Sequence, residues 1–223
     1  MLKIKIKASQ ITNLTDARYF AAKEVEWLTF NFREGTEHYI DPMRARAMFE
    51  WVSVPCIVGE FSGLTAAELG FYAQNWGIKH LQLPINDLKT TLHDLKVDSV
   101  LAEIIIEPST TATLLYDTML RYQNSVEAYV LNFAKHNITW SDIANNANAD
   151  LNKANANLNK AALSSICTRF KVILDIDFDV EMLDDILEIV PYGLSLKGGD
   201  EERVGVKSFE ELDEIFDRLE VDI

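Results

Sequence analysis

Residues 4–22 of the chain, IKIKASQITNLTDARYFAA, decide the predicted fold. At the start of this stretch Ile4, Ile6 and Ala8 alternate with lysines, which is the period-two pattern of a β-strand with two unlike faces. A polar turn follows, and Asn13 with Asp16 three residues later is typical of a helix N-terminus, where side-chain oxygens satisfy free backbone N–H groups. The stretch therefore predicts the first half of a β/α unit, in which ligands bind at the carboxyl end of the strand.

The same pattern recurs along the whole chain. Apolar runs typical of buried strands lie at residues 27–32, 54–61, 79–83, 99–106, 128–133, 171–176 and 192–196, with helical segments between them. These segments include a helix that Thr65 opens, a weaker helix at 85–95 and a helix at 180–190. Alternating strands and helices indicate a parallel sheet with right-handed crossovers. Eight such units favour an α/β fold in which residues 1–223 form a single eight-stranded parallel (β/α)8 TIM-barrel domain. A doubly wound open sheet fits the same periodicity and stays open as an alternative.

Composition limits the partners. The formal net charge of −14 argues against binding to nucleic acid or to anionic membranes, which requires a basic surface. A phosphate-bearing ligand would need a local exception to this negative field. Because no apolar run approaches the roughly 20 residues of a membrane span and the N-terminus lacks a signal-peptide core, we expect a cytoplasmic protein. Cys56 and Cys167 lack metal or redox spacing. We expect no cofactor, and the sequence does not indicate an oligomeric state.

Residues 145–160, NNANADLNKANANLNK, have low complexity. Asparagine is a mediocre helix former, although Leu151, Leu158 and Leu163 could provide a thin apolar stripe for a long sixth helix. We interpret the segment as a solvated helix with a loose start rather than a recognition element.

Several segments resemble a known family in their order along the chain. KASQITNLTDAR (7–18) resembles the opening motif of the phosphoribosylanthranilate isomerases, and GLSLKGGDEERVGVKSFEEL (193–212) resembles the stretch that leads into their last helix. Weaker resemblances lie between them, in WLTFNF (27–32), TEHYIDP (36–42), CIVGEF (56–61) and HLQLP (80–84). The resemblance implies an eight-stranded barrel that catalyses an Amadori rearrangement of a phosphoribosyl aldosylamine in tryptophan biosynthesis.

The resemblance also implies where the catalytic groups should be. In the family a cysteine ending the first strand is the base, and an aspartate ending the sixth strand is the acid. The matching residues here are Ser9 and Asn132, which supply neither group, so the resemblance implies a catalytically degenerate isomerase. An active isomerase, or another sugar-phosphate enzyme that uses different residues, is the alternative.

The substrate-contacting positions depart as well. His38 stands at the position of a family arginine, and Pro84 at that of a family histidine. After the seventh strand, the expected glycine-rich phosphate loop is replaced by Asp175, Asp177 and Asp179 with two apolar residues between them, and these carboxylates would repel phosphate.

Only the part of the phosphate site after the eighth strand persists, as Lys197, Gly198 and Gly199. This segment could bind a small anionic or phosphate ligand at the barrel mouth or form an ordinary tight turn, and neither is favoured.

For the other candidates a structural role is the simpler interpretation. Ser9 could be a nucleophile or a polar turn residue, and His38 a ligand-binding or a solvent-exposed histidine. The aspartates could hold a metal ion with Asp200 or Glu201, but they lack calcium-loop spacing, and a solvated acidic loop is favoured.

The first strand makes one prediction of its own. If Ser9 points into the barrel, then Lys7, Lys5 and Lys3 face the same way. A lysine removed from water must be paired. We therefore predict that Lys7 forms an ion pair with Glu60, Glu103 or Asp175, whereas Lys3 reaches water. Lysines facing outward and snorkelling between the helices are the alternative.

Overall fold

The computed structural model describes residues 1–91, 95–145, 158–198 and 208–221. Its centre is a closed barrel in which each strand is hydrogen-bonded in parallel to the next and the last strand to the first. This confirms the predicted (β/α)8 barrel and excludes the open sheet. The strands are β1 (Lys5–Ser9), β2 (Trp27–Asn31), β3 (Cys56–Glu60), β4 (His80–Pro84), β5 (Ser99–Ile105), β6 (Ala128–Asn132), β7 (Val172–Asp175) and β8 (Gly193–Lys197).

Helices follow the strands, and polar caps fix where several of them begin. The Asn13 side chain accepts a hydrogen bond from the Asp16 N–H, as predicted, and Thr65 with Glu68 forms a capping box. The helices are α1 (Leu14–Ala22), α2 (Pro42–Phe49), α3 (Ala66–Trp76), α4 (Leu88–Thr91), α5 (Ala112–Tyr122), α6 (Trp140–Ala144), α7 (Lys160–Arg169), α8 (Leu183–Leu187) and α9 (Glu210–Leu219). Within the described ranges no helix is both long and apolar enough to cross a bilayer.

Two predicted helices begin later than their patterns suggested. The segment 180–190 begins as a 3₁₀ turn, Val180–Met182, and α8 starts only after it. In the segment 85–95 the helix α4 begins only at Leu88, and residues 92–94 lie outside the described ranges. Most of the asparagine-rich segment, including Leu151, also lies outside them, whereas Leu158 and Leu163 are buried in the core.

The barrel interior is built in layers of side chains from alternate strands. Because the strands tilt, residues at one height are offset by about one position from each strand to the next, and the observed register then assigns the layers. From the amino-terminal end upward, the four central layers are Trp27, His80, Ala128 and Gly193; Lys7, Val58, Leu101 and Ile173; Thr29, Gln82, Val130 and Ser195; and Ser9, Glu60, Glu103 and Asp175. The aliphatic members of these layers pack in one cluster separate from the core beneath the helices.

Polarity changes along this interior. The lower two of these four layers are largely apolar apart from His80 and Lys7, whereas the highest of the four consists of one hydroxyl and three carboxyl groups. The carboxyl ends of the strands therefore surround a charged and mostly buried floor, which we call the barrel mouth.

Candidate functional site

The structure places Ser9, Asn132, Asp175 and Gly198 at the same end of the barrel, as the sequence predicted. Ser9, Asn132 and Asp175 each end a strand, and Gly198 directly follows β8. Asn132 and Asp175 are register partners, as are Ser9 and Lys197. Gly199 lies outside the described residues.

Ser9 is a satisfied structural hydroxyl. It is 3% exposed, donates a hydrogen bond to the Leu196 carbonyl oxygen at 3.2 Å and accepts one from the Ser195 hydroxyl at 3.2 Å. Among the described residues no histidine or carboxylate hydrogen-bonds to it. An alcohol in this setting has no group that could take its proton, so the geometry favours the polar structural role over a nucleophile.

Asn132 belongs to a hydrogen-bonded chain with charged neighbours. Its amide donates to Glu103 Oε1 at 2.8 Å, while its own oxygen accepts from the Lys135 backbone N–H at 2.9 Å. The other oxygen of Glu103 binds Arg33 Nη2 at 2.6 Å. Burial by itself would raise the pKa of Glu103, but the Arg33 charge and the two hydrogen bonds outweigh it and hold that pKa below its usual range. Glu103 is thus a fixed carboxylate, and Asn132 is the amide that binds it.

Lys7 points into the barrel and forms the predicted ion pair. Its side chain is 1% exposed, and Nζ lies 3.3 Å from Glu60 Oε1. Arg33 approaches the second oxygen of Glu60 at 4.0 Å. Lys3 is exposed at the opposite end, where its Nζ donates to the Arg218 carbonyl oxygen. These positions confirm the predicted orientation of the strand and exclude the outward-facing alternative.

Asp175 differs from the other carboxyl groups of the barrel mouth because one of its oxygens has no hydrogen-bond partner among the described residues. It is 9% exposed, and its Oδ1 has no hydrogen-bond partner in the described part of the chain. Burial raises the pKa of Asp175, and the charges of Lys7 and Lys197 oppose this increase without cancelling it. The protonated form is therefore favoured over a wider pH range than in an ordinary aspartate.

The region corresponding to the implied phosphate site is acidic. Lys197 Nζ is paired with Asp177 at 2.7 Å. A pocket of about 520 Å³ beside this pair is also lined by Glu210 and Glu211 in the first turn of α9. The helix N-terminus that could attract an anion thus carries carboxylates instead.

Among the described residues, the remaining candidate residues from the sequence form no side-chain hydrogen bond or ion pair with the charged groups of the barrel mouth. His38 is exposed in the loop after β2, with a left-handed φ of 57°. Pro84 ends β4 beside Glu103 and offers no hydrogen-bond donor. The described residues contain no group of three or more histidine, cysteine or acidic side chains placed to hold a metal ion, and Asp200 and Glu201 lie outside them.

Sequence reasoning missed three mouth residues, namely Arg33, Gln82 and Thr29. Arg33 follows β2 in a polar loop, where nothing in the sequence distinguishes it from the neighbouring charges. Gln82 and Thr29 interrupt apolar strand runs with single polar residues, and this signal could have identified them as inward-facing. Both are fully buried.

Comparisons with known proteins establish the fold. No protein-family model matches the chain, and no curated protein matches it by sequence. The phosphoribosyl anthranilate isomerase from Thermus thermophilus superimposes with a TM-score of 0.68 at 23% identity, covering 97% of this chain and 98% of that one. The enzyme from Thermotoga maritima gives 0.69 at 16% identity with the same coverage.

A 3-hexulose-6-phosphate synthase is also similar, with a TM-score of 0.62 at 11% identity over 97% of this chain and 100% of that one. At such low identities these matches define the class of fold. The chain has a (β/α)8 barrel of the phosphoribosylanthranilate isomerase type.

Proposed function

We propose that this protein is a divergent barrel of the phosphoribosylanthranilate isomerase type that no longer catalyses the isomerase reaction. The observation that carries the proposal is the state of the two implied catalytic positions. Ser9 is a buried hydroxyl bonded to a backbone carbonyl, and Asn132 is an amide bonded to Glu103. The rearrangement needs an acid to open the ribose ring and a base to remove a proton from the adjacent carbon, each worth roughly 10²- to 10⁴-fold in rate. Neither position supplies such a group.

The charges of the mouth support the same proposal. Lys7 is paired with Glu60, Arg33 with Glu103 and Lys197 with Asp177. These cations are thus already neutralised by protein carboxylates. A phosphorylated substrate would have to displace these pairs and would also approach Glu210 and Glu211, so its binding is disfavoured.

A complementation experiment tests the proposal in cells. The gene is expressed in a tryptophan auxotroph that lacks the isomerase, beside the Thermus thermophilus enzyme as a positive control. We expect no growth without tryptophan although the protein is present in the lysate. Growth would favour the alternative, an active isomerase that uses other residues.

A further inference from the structure

A cavity at the amino-terminal end of the barrel lies outside the site described above. It has a volume of about 760 Å³ and lies between the residues before and within β1 and the segments that enter β7 and β8. Five of the chain's 21 lysine and arginine residues line it, but only three of its 35 acidic residues. The cations are Lys3, Lys5, Lys23, Arg169 and Lys171. The cavity therefore has an excess of positive charge in a protein whose net charge is −14.

Other groups of the protein already bind three of these cations. Lys5 is paired with Glu26 at 2.6 Å, and Lys23 is paired with Asp213 at 2.8 Å. Lys3 Nζ donates a hydrogen bond to a backbone carbonyl oxygen in the last turn of α9. These three side chains contribute to the local field, but their hydrogen-bonding capacity is partly used.

Arg169 and Lys171 have no such partner. Within the described ranges, no carboxylate lies at ion-pair distance from either side chain. Arg169 donates a hydrogen bond to the uncharged Gln123 side chain at 3.2 Å, and Lys171 Nζ lies 5.2 Å from the centre of the Tyr192 ring. The C-terminus of α7 favours cations here without neutralising them, so both remain available to an anion.

The acidic residues lie on the other side of the cavity. Glu24 and Glu26 precede β2, and Glu220 forms a bridge with Leu2 ahead of β1. The two unpaired cations lie instead at the entry to β7, which β8 separates from β1 in the barrel. The β7 side of the cavity is therefore its positive side.

The wall beside the two unpaired cations is aromatic and apolar. Tyr192 is half-buried and Phe170 is buried, whereas Val190 is 73% exposed. Val190 also has a left-handed φ of 52°, a rare and strained conformation for a β-branched residue. Strained residues of this kind cluster at ligand sites. An exposed valine held in this way provides a surface that an apolar group can cover.

We propose that this cavity binds a small organic anion, whose carboxylate or phosphate group is held by Lys171 and Arg169 while its apolar body lies against Tyr192 and Val190. This site goes beyond the proposed function, because it lies at the end of the barrel opposite the mouth and includes neither implied catalytic position. Active sites of (β/α)8 barrels lie at the carboxyl ends of the strands, so the proposal is one of binding without catalysis.

Volume and charge together select this class of ligand. Pockets of roughly 300–1,000 Å³ suit small organic molecules, so the volume favours such a ligand over an inorganic ion. A cationic ligand would be repelled by Lys171 and Arg169, and an uncharged one would leave both without a counter-ion.

Binding of two probe anions tests the proposal. Naphthalene-2-carboxylate and 2-naphthyl phosphate are each titrated into the purified protein at low ionic strength in a calorimeter, beside the uncharged naphthalene-2-carboxamide. We expect saturable binding of at least one anion, and the tighter of the two identifies the preferred acidic group. The carboxamide should bind roughly tenfold more weakly than the carboxylate, the loss expected for one hydrogen bond to a charged group.

Matched variants locate the binding site. Lys171→Met should weaken binding of the anion roughly tenfold, whereas Lys79→Met should leave it unchanged. Lys79 is the matched control because it is exposed and directly precedes β4 as Lys171 precedes β7, but it does not line the cavity. Val190→Gly removes the apolar surface together with the left-handed strain, so it should weaken binding by about threefold or more without destabilising the fold.

Absence of saturable binding for both anions would overturn the proposal. So would equal affinity for the carboxamide, or an unchanged affinity in the Lys171→Met variant, whose folding is checked by thermal unfolding. None of these outcomes bears on the isomerase assay, so the two proposals can fail separately.

Discussion

Lys7 occupies an interior position that aliphatic side chains fill on the other three strands of its layer. Val58, Leu101 and Ile173 complete that layer, and the ammonium extends upward to the carboxyl groups of the mouth. The desolvation of such a charge costs several kcal/mol, which only nearby carboxylates can offset. The Lys7 side chain therefore starts in an apolar layer of the barrel interior and ends at the charged barrel mouth.

Replacing Lys7 should destabilise the fold. We expect Lys7→Met to lower the free energy of unfolding by about 3 kcal/mol, the lower end of the cost of breaking a buried pair, because Glu60 keeps a partial partner in Arg33. Lys79→Met, at an exposed lysine, should change it by less than about 0.5 kcal/mol. Urea denaturation measures both, and equal effects would refute the buried pair.

Asp175 should make stability fall as pH rises. Its pKa is raised in the folded state, so its contribution to stability is fully present below the unfolded pKa of about 3.9 and is lost as pH rises through the folded value. Asp175→Asn removes this dependence, and we expect the variant to gain stability relative to the wild type as pH rises above about 4. Denaturant unfolding across this range measures the difference. A constant difference would show that Asp175 is not perturbed.

At the level of elements, side-chain caps predicted where helices begin better than helical periodicity did. Asn13 and Thr65 cap helices where their sequence patterns indicated, because a cap depends on only four residues. The segment 180–190 has a helical pattern, yet its first turn is 3₁₀ and packs against α9, where Arg218 donates a hydrogen bond to the Val180 carbonyl oxygen. Tertiary packing of this kind cannot be read from a single segment.

Close packing of β3 provides an element-level test. A Cβ atom on Gly59 would lie 2.5 Å from a ring carbon of Phe61 and 2.8 Å from Ile78, so Gly59→Ala should destabilise the protein by about 1–3 kcal/mol. Gly70 lies in α3 with open space around it, and Gly70→Ala should instead stabilise by roughly 0.5–1 kcal/mol. Thermal unfolding of both variants checks the contrast, and a tolerated Gly59→Ala would contradict the close approach of Phe61 and Ile78 to the Gly59 backbone.

At the level of the whole molecule, the sequence predicted the parallel arrangement of the strands and the position of Lys7, but not every residue of the charged barrel mouth. The alternation of strands and helices indicated a parallel sheet, but closure depends on pairing between β1 and β8, which lie at opposite ends of the chain. The period-two argument placed Lys7 correctly, because strand geometry is local. Arg33 could not be predicted, because its contact with Glu103 spans 70 residues and starts from a loop.

Restoring the family groups should not restore the family reaction fully. In Ser9→Cys/Asn132→Asp a thiol and a carboxyl group return, but Asp177, Glu210 and Glu211 still surround the region where phosphate would bind. The carboxylate introduced at position 132 would also face Glu103 without the amide hydrogen bond. We expect activity well below that of the Thermus thermophilus isomerase. Full activity in this double variant would show that the acidic pocket does not exclude phosphate.

Turnover of N-(5′-phosphoribosyl)anthranilate by the purified wild-type protein tests the central claim most directly. The fluorescence decrease as the substrate is consumed is followed at saturating substrate, with the Thermus thermophilus enzyme and a protein-free blank alongside. Since the two implied catalytic positions hold a hydroxyl and an amide, the rate should equal that of the blank. A rate proportional to the concentration of this protein would contradict the account.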